Sequence, residues 1–127
     1  SNGLLGQSLL NLLLQDRSAY QVIGFSRGIN RSCRGDFEYV SIDLTNSKLL
    51  EEHVRNLQPD FIINTAAMTN VDACENNKIA CDALNVGVVD SLVAVAKQIN
   101  AHVIHLSTDF IFMECKEITK KQMYLIP

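Results

Sequence analysis

A doubly wound parallel α/β sheet is the fold class that this sequence predicts. Three observations predict it: four short runs rich in strand formers, helical patterns placed between them, and a glycine turn at the mouth of the first helix. The connections between successive parallel strands then call for right-handed crossovers.

The elements follow in chain order. Residues 4–15 (LLGQSLLNLLLQ) are apolar on nearly every side and predict a buried helix that starts directly after the turn-like Ser1-Asn2-Gly3. Residues 20–25 (YQVIGF) predict a strand, with a polar, glycine-containing loop over 26–36. Residues 37–42 alternate as a strand does. Asn46 or Ser47 can cap a helix running to about Leu57, and Pro59 stops it. Phe61–Asn64 (FIIN) is a short apolar strand of the kind found inside a parallel sheet. Over 78–100 the residues Cys81, Leu84, Val88, Leu92, Val95 and Ile99 recur at three and four, the mark of an amphipathic helix, and 103–106 is the next strand.

Composition narrows the function classes. The chain has 127 residues, 47% of them apolar and 20% charged, which excludes a disordered tail, a collagen-like repeat and a disulfide-dense mini-protein. A net charge of −3 gives no basic patch for nucleic acid. No run reaches the ~18 uncharged apolar residues of a membrane span, and the N-terminal leucines lack the basic flank of a signal peptide, so a cytoplasmic protein is expected. Cys33, Cys74, Cys81 and Cys115 have no CxxC spacing and are expected to stay reduced as small apolar side chains. His102 and His105, three apart in a strand, fall on opposite faces and cannot share a site, and no metal site is expected.

Chemistry gathers at four places. Gly3, Leu4, Leu5 and Gly6 form GLLG at a helix start, where glycines let the backbone approach a pyrophosphate and the helix amides face its charge. The same pattern also serves ordinary turns. In a Rossmann-like sheet the tip of the next strand selects the cofactor, an acid favouring NAD and an arginine accommodating the 2′-phosphate of NADP. Here the tip reads Phe25-Ser26-Arg27-Gly28 with no acid, so Ser26 and Arg27 are candidates for that phosphate. Asn64-Thr65-Ala66-Ala67 ends a strand on small residues that leave room for a ligand. Ser107-Thr108-Asp109 stands at the same edge of the following strand, either as a hydroxyl for a substrate carbonyl or as a helix cap.

Together GLLGQSL (3–9), DLTN (43–46), PDFIINTAAMTNVDACE (59–75), Asn85 in ALNV and STDFIF (107–112) resemble the dTDP-4-dehydrorhamnose reductases, a sugar-nucleotide branch of the extended short-chain dehydrogenases. The resemblance covers residues 1–112. It implies a Rossmann-like domain over that span and reduction of the C4 ketone of a dTDP-4-dehydro-6-deoxy sugar by NADPH, with NADH as the alternative. A tyrosine would donate the proton, a lysine would lower that tyrosine's pKa, and Thr108 would orient the carbonyl. Gly3 and Gly6 would face the pyrophosphate, Arg27 the 2′-phosphate, Asp43 and Leu44 the adenine, and Ala66 and Ala67 the nicotinamide. Thr69, Val71 and Asp109 fall where the family lines the sugar pocket, and Asn85 is carried over as a packing or backbone-bonding residue. A homodimer is implied for full-length members.

The match departs in three ways. The order opens on a helix, so the sheet is expected to be incomplete, without the central strand that usually precedes the glycine turn. The family's YxxxK motif and its C-terminal substrate domain are absent from these residues, so the chain as given is expected to be inactive. Residues 113–127 (MECKEITKKQMYLIP) replace the expected continuation. Back-translated and read with one G restored they become DGMQRNYKETDVFNP, which fits the family, so this tail is expected to be a frameshifted product. The alternatives are a non-catalytic NADP-binding subunit resembling the regulatory subunit of methionine adenosyltransferase, and a gene fragment without function.

Overall fold

The computed structural model describes residues 1–107. Its elements are α1 (Leu4–Leu13), β1 (Ile23–Ser26), β2 (Glu38–Ser41), α2 (Ser47–Leu57), β3 (Phe61–Asn64), α3 (Val71–Asn76), α4 (Lys78–Asp82), a π-helical turn (Ala83–Gly87), α5 (Val88–Ile99) and β4 (His102–His105). The fold is parallel α/β. β1 pairs with β2 and β3 with β4, in registers that put Ser26 beside Ser41 and Asn64 beside His105. Among the described residues these are two separate two-stranded sheets, so the sheet is incomplete as the sequence order implies.

Alternation along β1 and β2 sorts the helices into two layers. Phe25, Val40 and Ile42 face a core made with Leu50 and Val54 of α2 and Val88, Leu92 and Val95 of α5. Gly24 faces the other way, toward Ser1 and Phe37, and there α1 lies. The α2–α5 layer is the better built. Leu50, Val88 and Val95 are fully buried, and Arg55 on α2 donates to the Gln98 side chain of α5 at 3.0 Å.

Local chemistry sets the helix limits. Asn46 caps α2 by accepting the Leu49 N–H at 3.2 Å, and Gln58, left-handed at φ 48°, closes it before Pro59. Asn100 ends α5 the same way at φ 57°. Helices α3 and α4, with the π turn, divide what the sequence presents as one helix and a preceding loop.

Three expectations need correction. Helix α1 is not buried on all sides: Gly6, Leu10 and Leu14 face inward, while Leu4, Leu5 and Leu12 are exposed because only one pair of strands lies beneath it. The cysteines are not all free. Cys74 and Cys81 are joined in a disulfide across the α3–α4 junction, where Asn77 leaves helical geometry at φ −142°. A straight helix would separate residues seven apart by about 10 Å, and the break brings their Cα atoms to 5.1 Å. Lastly, Lys78–Ile99 is a continuous 22-residue helical stretch whose length and composition match those of a membrane span. Its inward residues Val88, Leu92, Val95 and Ala96 are instead buried in this fold, against α2 and the strands.

Candidate functional site

Parallel pairing puts the carboxyl ends of β3 and β4, Asn64 and His105, side by side, and likewise those of β1 and β2, Ser26 and Ser41, the end at which such sheets bind ligands. The first helix begins there. Gly3 occupies its N-cap without a side-chain hydrogen bond, so the first amides of α1 have no side-chain acceptor at the cap, and the space around Gly3 is open. Gly6 is needed for close approach: a Cβ there would lie 2.9 Å from the Ser1 carbonyl oxygen and 3.0 Å from its Cα. The open, uncapped helix start fits an anionic group such as a pyrophosphate.

Asn2 ties this turn to the loop after β1. Its Nδ2 donates to the Ile29 carbonyl at 2.8 Å and the Tyr39 hydroxyl at 3.1 Å, and its Oδ1 accepts the Arg31 N–H at 3.0 Å. The Tyr39 hydroxyl donates to the carbonyl of Gly28, whose φ of +80° lets the loop double back. Ser26 is half-buried at the strand end, and Arg27 is exposed at the loop tip. Arg27 stands close enough to Asp43 to act on its charge. The Asp43 carboxyl is held below its ordinary range, first by the Thr45 hydroxyl at 2.7 Å, then by the Thr45 N–H, and least by the positive charge of Arg27. Leu44 beside it is half-buried and packs on the core.

The carboxyl end of β3 and the segment after it are built around two asparagines. Buried Asn64 accepts the Ala66 N–H on Oδ1 at 3.0 Å, which turns its amide nitrogen toward His105 Nδ1 at 3.2 Å. The amide nitrogen can only donate, so Nδ1 is the acceptor of this bond. Asn85, in the π turn, grips the backbone of one residue at both of its polar groups: Oδ1 accepts the Met68 N–H at 2.7 Å and Nδ2 donates to the Met68 carbonyl at 3.0 Å. A small cavity of about 70 Å³ lies between Ala66, Ala67, Asn85, His105, Leu106 and Ser107. Thr69 and Val71 are exposed just beyond it. Asn85→Leu is expected to cost about 1–3 kcal/mol, since it removes the side-chain partner of both the N–H and the C=O of Met68. Hydrogen exchange at the Met68 amide checks this, and the exchange should rise there while that of α2 shifts only with global stability.

A larger concavity, about 590 Å³, opens near Tyr20 and Phe37 at the opposite ends of the strands. On its wall Asp36 is engaged by two arginines: Arg34 donates to it at 2.8 and 2.5 Å and Arg17 pairs with the same carboxylate, and chiefly the Arg34 bond holds Asp36 down to about 2. Neither Gly3 nor Gly6 is among the residues that line it.

The structure thus places Gly3, Leu4, Leu5, Gly6, Ser26, Arg27, Asp43 and Leu44 about the carboxyl ends of β1 and β2, and Ala66, Ala67, Thr69, Val71 and Asn85 in and around the segment that follows β3. Thr108, Asp109 and the tail 113–127 lie outside the described residues. Sequence reading missed Asn2, Tyr39 and His105. Asn2 carried a faint signal as an asparagine next to the first glycine of the turn.

Comparison with known proteins extends this geometry. A family model described as the RmlD substrate binding domain matches residues 1–124. The dTDP-4-dehydrorhamnose reductase of Aggregatibacter actinomycetemcomitans is 30% identical over 112 residues, 88% of this chain and 34% of its own length. The crystal structure of a hypothetical dTDP-4-dehydrorhamnose reductase from Sulfolobus tokodaii superposes with a TM-score of 0.69 at 32% identity, covering 84% of this chain and 37% of that one. The Bacillus anthracis dTDP-4-dehydrorhamnose reductase in complex with NADP gives a TM-score of 0.55 at 25% identity, covering 61% and 29%. The chain spans about a third or less of the length of these relatives.

Proposed function

Because the chain belongs to the family of the RmlD substrate binding domain, we propose that it forms the nucleotide-cofactor half of a cytoplasmic reductase acting on the C4 ketone of a dTDP-4-dehydro-6-deoxy sugar. The observation that carries this reading is the uncapped helix start that lies, with the loop arginine, at the carboxyl end of β1, and the strand end of small residues after β3 supports it. The relative bound to NADP supports the nicotinamide class. Arg27 at the β1 tip, with no acid there, supports NADPH over NADH.

When bound, the nicotinamide supplies the hydride. The chain's own residues do the holding. Backbone amides at Gly3, Leu4, Leu5 and Gly6 bind pyrophosphate, and the Ser26 hydroxyl and Arg27 guanidinium bind the 2′-phosphate. Asp43 and Leu44 border the adenine. Ala66 and Ala67 keep the nicotinamide side free of bulk, while the Asn85 grip on Met68 fixes the loop that carries Thr69 and Val71 toward the sugar. Thr108 orients the ketone and Asp109 borders the sugar. The proton donor is a separate matter, since no Tyr-x-x-x-Lys occurs in these 127 residues. The chain alone therefore binds cofactor without turning over.

Titration of NADPH into the chain, followed by the change in nicotinamide fluorescence, tests the reading. Saturable one-to-one binding is expected, with weaker binding of NADH. No binding of either cofactor overturns it, and turnover of the dTDP-sugar ketone by these residues overturns the inactivity.

A further inference from the structure

We propose that Cys74 and Cys81 are a reversible redox modification site whose disulfide latches residues 65–76 to the helical stretch Lys78–Ile99. The disulfide ties α3 to α4, the start of the helical stretch Lys78–Ile99, and neither α3 nor α4 itself has a buried residue. Without apolar burial, local opening of α3 costs little free energy, and a covalent tie across its end removes much of that freedom.

The sulfurs sit inside the loop's own polar clasp. Asn85 Nδ2, while gripping the Met68 carbonyl, also reaches Cys81 Sγ at 3.3 Å, and Cys74 Sγ lies 3.6 Å from that same carbonyl oxygen. The bond state of the two sulfurs is thus read by the peptide that fixes the loop running from Ala66 to Val71. Both cysteines are half-buried, so a small oxidant reaches them. Cys33 is exposed and free on a separate loop.

The oxidant is a peroxide. One thiolate attacks a peroxide oxygen, the O–O bond breaks, and a sulfenic acid forms as hydroxide leaves. The second thiolate attacks that sulfur, the S–S bond forms and the S–O bond breaks. With the two thiol protons the products are the disulfide and two waters, and two electrons pass from sulfur to oxygen. A dithiol reverses the step through a mixed disulfide. The proposed function concerns cofactor binding at other residues. The latch itself does not rest on it.

The test uses the chain with Cys33→Ser and Cys115→Ser, treated with hydrogen peroxide, desalted, and compared with the dithiothreitol-reduced form. A loss of two hydrogens confined to the peptide holding Cys74 and Cys81 is expected, reversed by dithiothreitol. Amide hydrogen exchange over 68–77 is expected to slow about tenfold on oxidation, with α2 unchanged, and Cys81→Ser should abolish the difference. If both thiols remain alkylatable after peroxide, or if the disulfide forms and exchange over 68–77 is the same in both states, the proposal is overturned. The reduced unsubstituted pair keeps the comparison available should the Cys81 variant fail to fold. NADPH titration of the two forms separates the readings: an exchange difference without NADPH binding in either form supports the latch and counts against the cofactor site.

Discussion

Leu50→Ala is expected to lower the free energy of unfolding by about 2–5 kcal/mol, the range for emptying a buried leucine site. Leu50 is 1% exposed and sits where α2 meets the strands, among Ile42, Val54, Val88, Leu92 and Val95. It belongs to the better-packed layer, because the other layer rests on α1, which leaves three leucines in solvent. Stability of a domain this size is about 5–15 kcal/mol, so the loss is a large share of the whole. In a urea titration the midpoint should fall by about 1 M or more. Leu49→Ala is the control. Leu49 is 37% exposed on the same helix, and its replacement should change stability by about 0.5 kcal/mol or less. Equal midpoints for the two variants would show that the α2–α5 layer does not carry the fold.

That layer was also the most legible part of the sequence. The three-and-four spacing from Leu84 to Ile99 marks the side of α5 that is buried, and of the two caps that the sequence offered for α2, Asn46 and Ser47, the structure uses Asn46 and ends the helix at Leu57, before Pro59. Periodicity alone served less well elsewhere. In 4–15 nearly every position is apolar, so the pattern carries no phase and cannot show that Gly6, Leu10 and Leu14 form the inward row. The π turn stayed hidden because Cys81, Leu84 and Val88 keep a spacing that an ordinary helix shares. The disulfide was hidden for a related reason. A spacing of seven has meaning only once the chain breaks at Asn77, and that break depends on a single backbone conformation rather than on pattern.

At the candidate site, the residues read from motifs are those whose type states their chemistry: glycines at a helix start, an arginine at a strand tip, alanines at a strand end. The residues that were missed act through geometry. Asn2 matters because the turn and the 27–31 loop pass within hydrogen-bond reach of it, a tertiary fact over 25 or more residues of sequence. His105 matters because the parallel register sets it beside Asn64, and register is not written in either strand alone. Asn85 lay between these cases. Its place in a helix was readable, and its grip on Met68 required the π turn to aim it.

Arg27→Ala is expected to weaken NADPH binding about tenfold while leaving NADH within about twofold, because the side chain's proposed partner is the phosphate that distinguishes the two. The guanidinium is exposed, so its bond to that phosphate is worth less than a buried one and should weaken further as salt is added. Arg27→Lys keeps the charge without the planar fork and should fall between wild type and alanine. Loss of the neighbouring turn does not explain such a result. The Asp43 carboxyl is held low mainly by the hydroxyl and N–H of Thr45, which the substitution leaves in place, and least by Arg27. A carboxyl held low in the folded state stabilises the turn above its ordinary pKa and loses that effect as pH falls. Removing Arg27 should therefore move this loss only slightly upward, well below the neutral pH of the titration. Equal loss for NADPH and NADH would mean that Arg27 supports the loop rather than the phosphate, and no loss for either would remove it from the site.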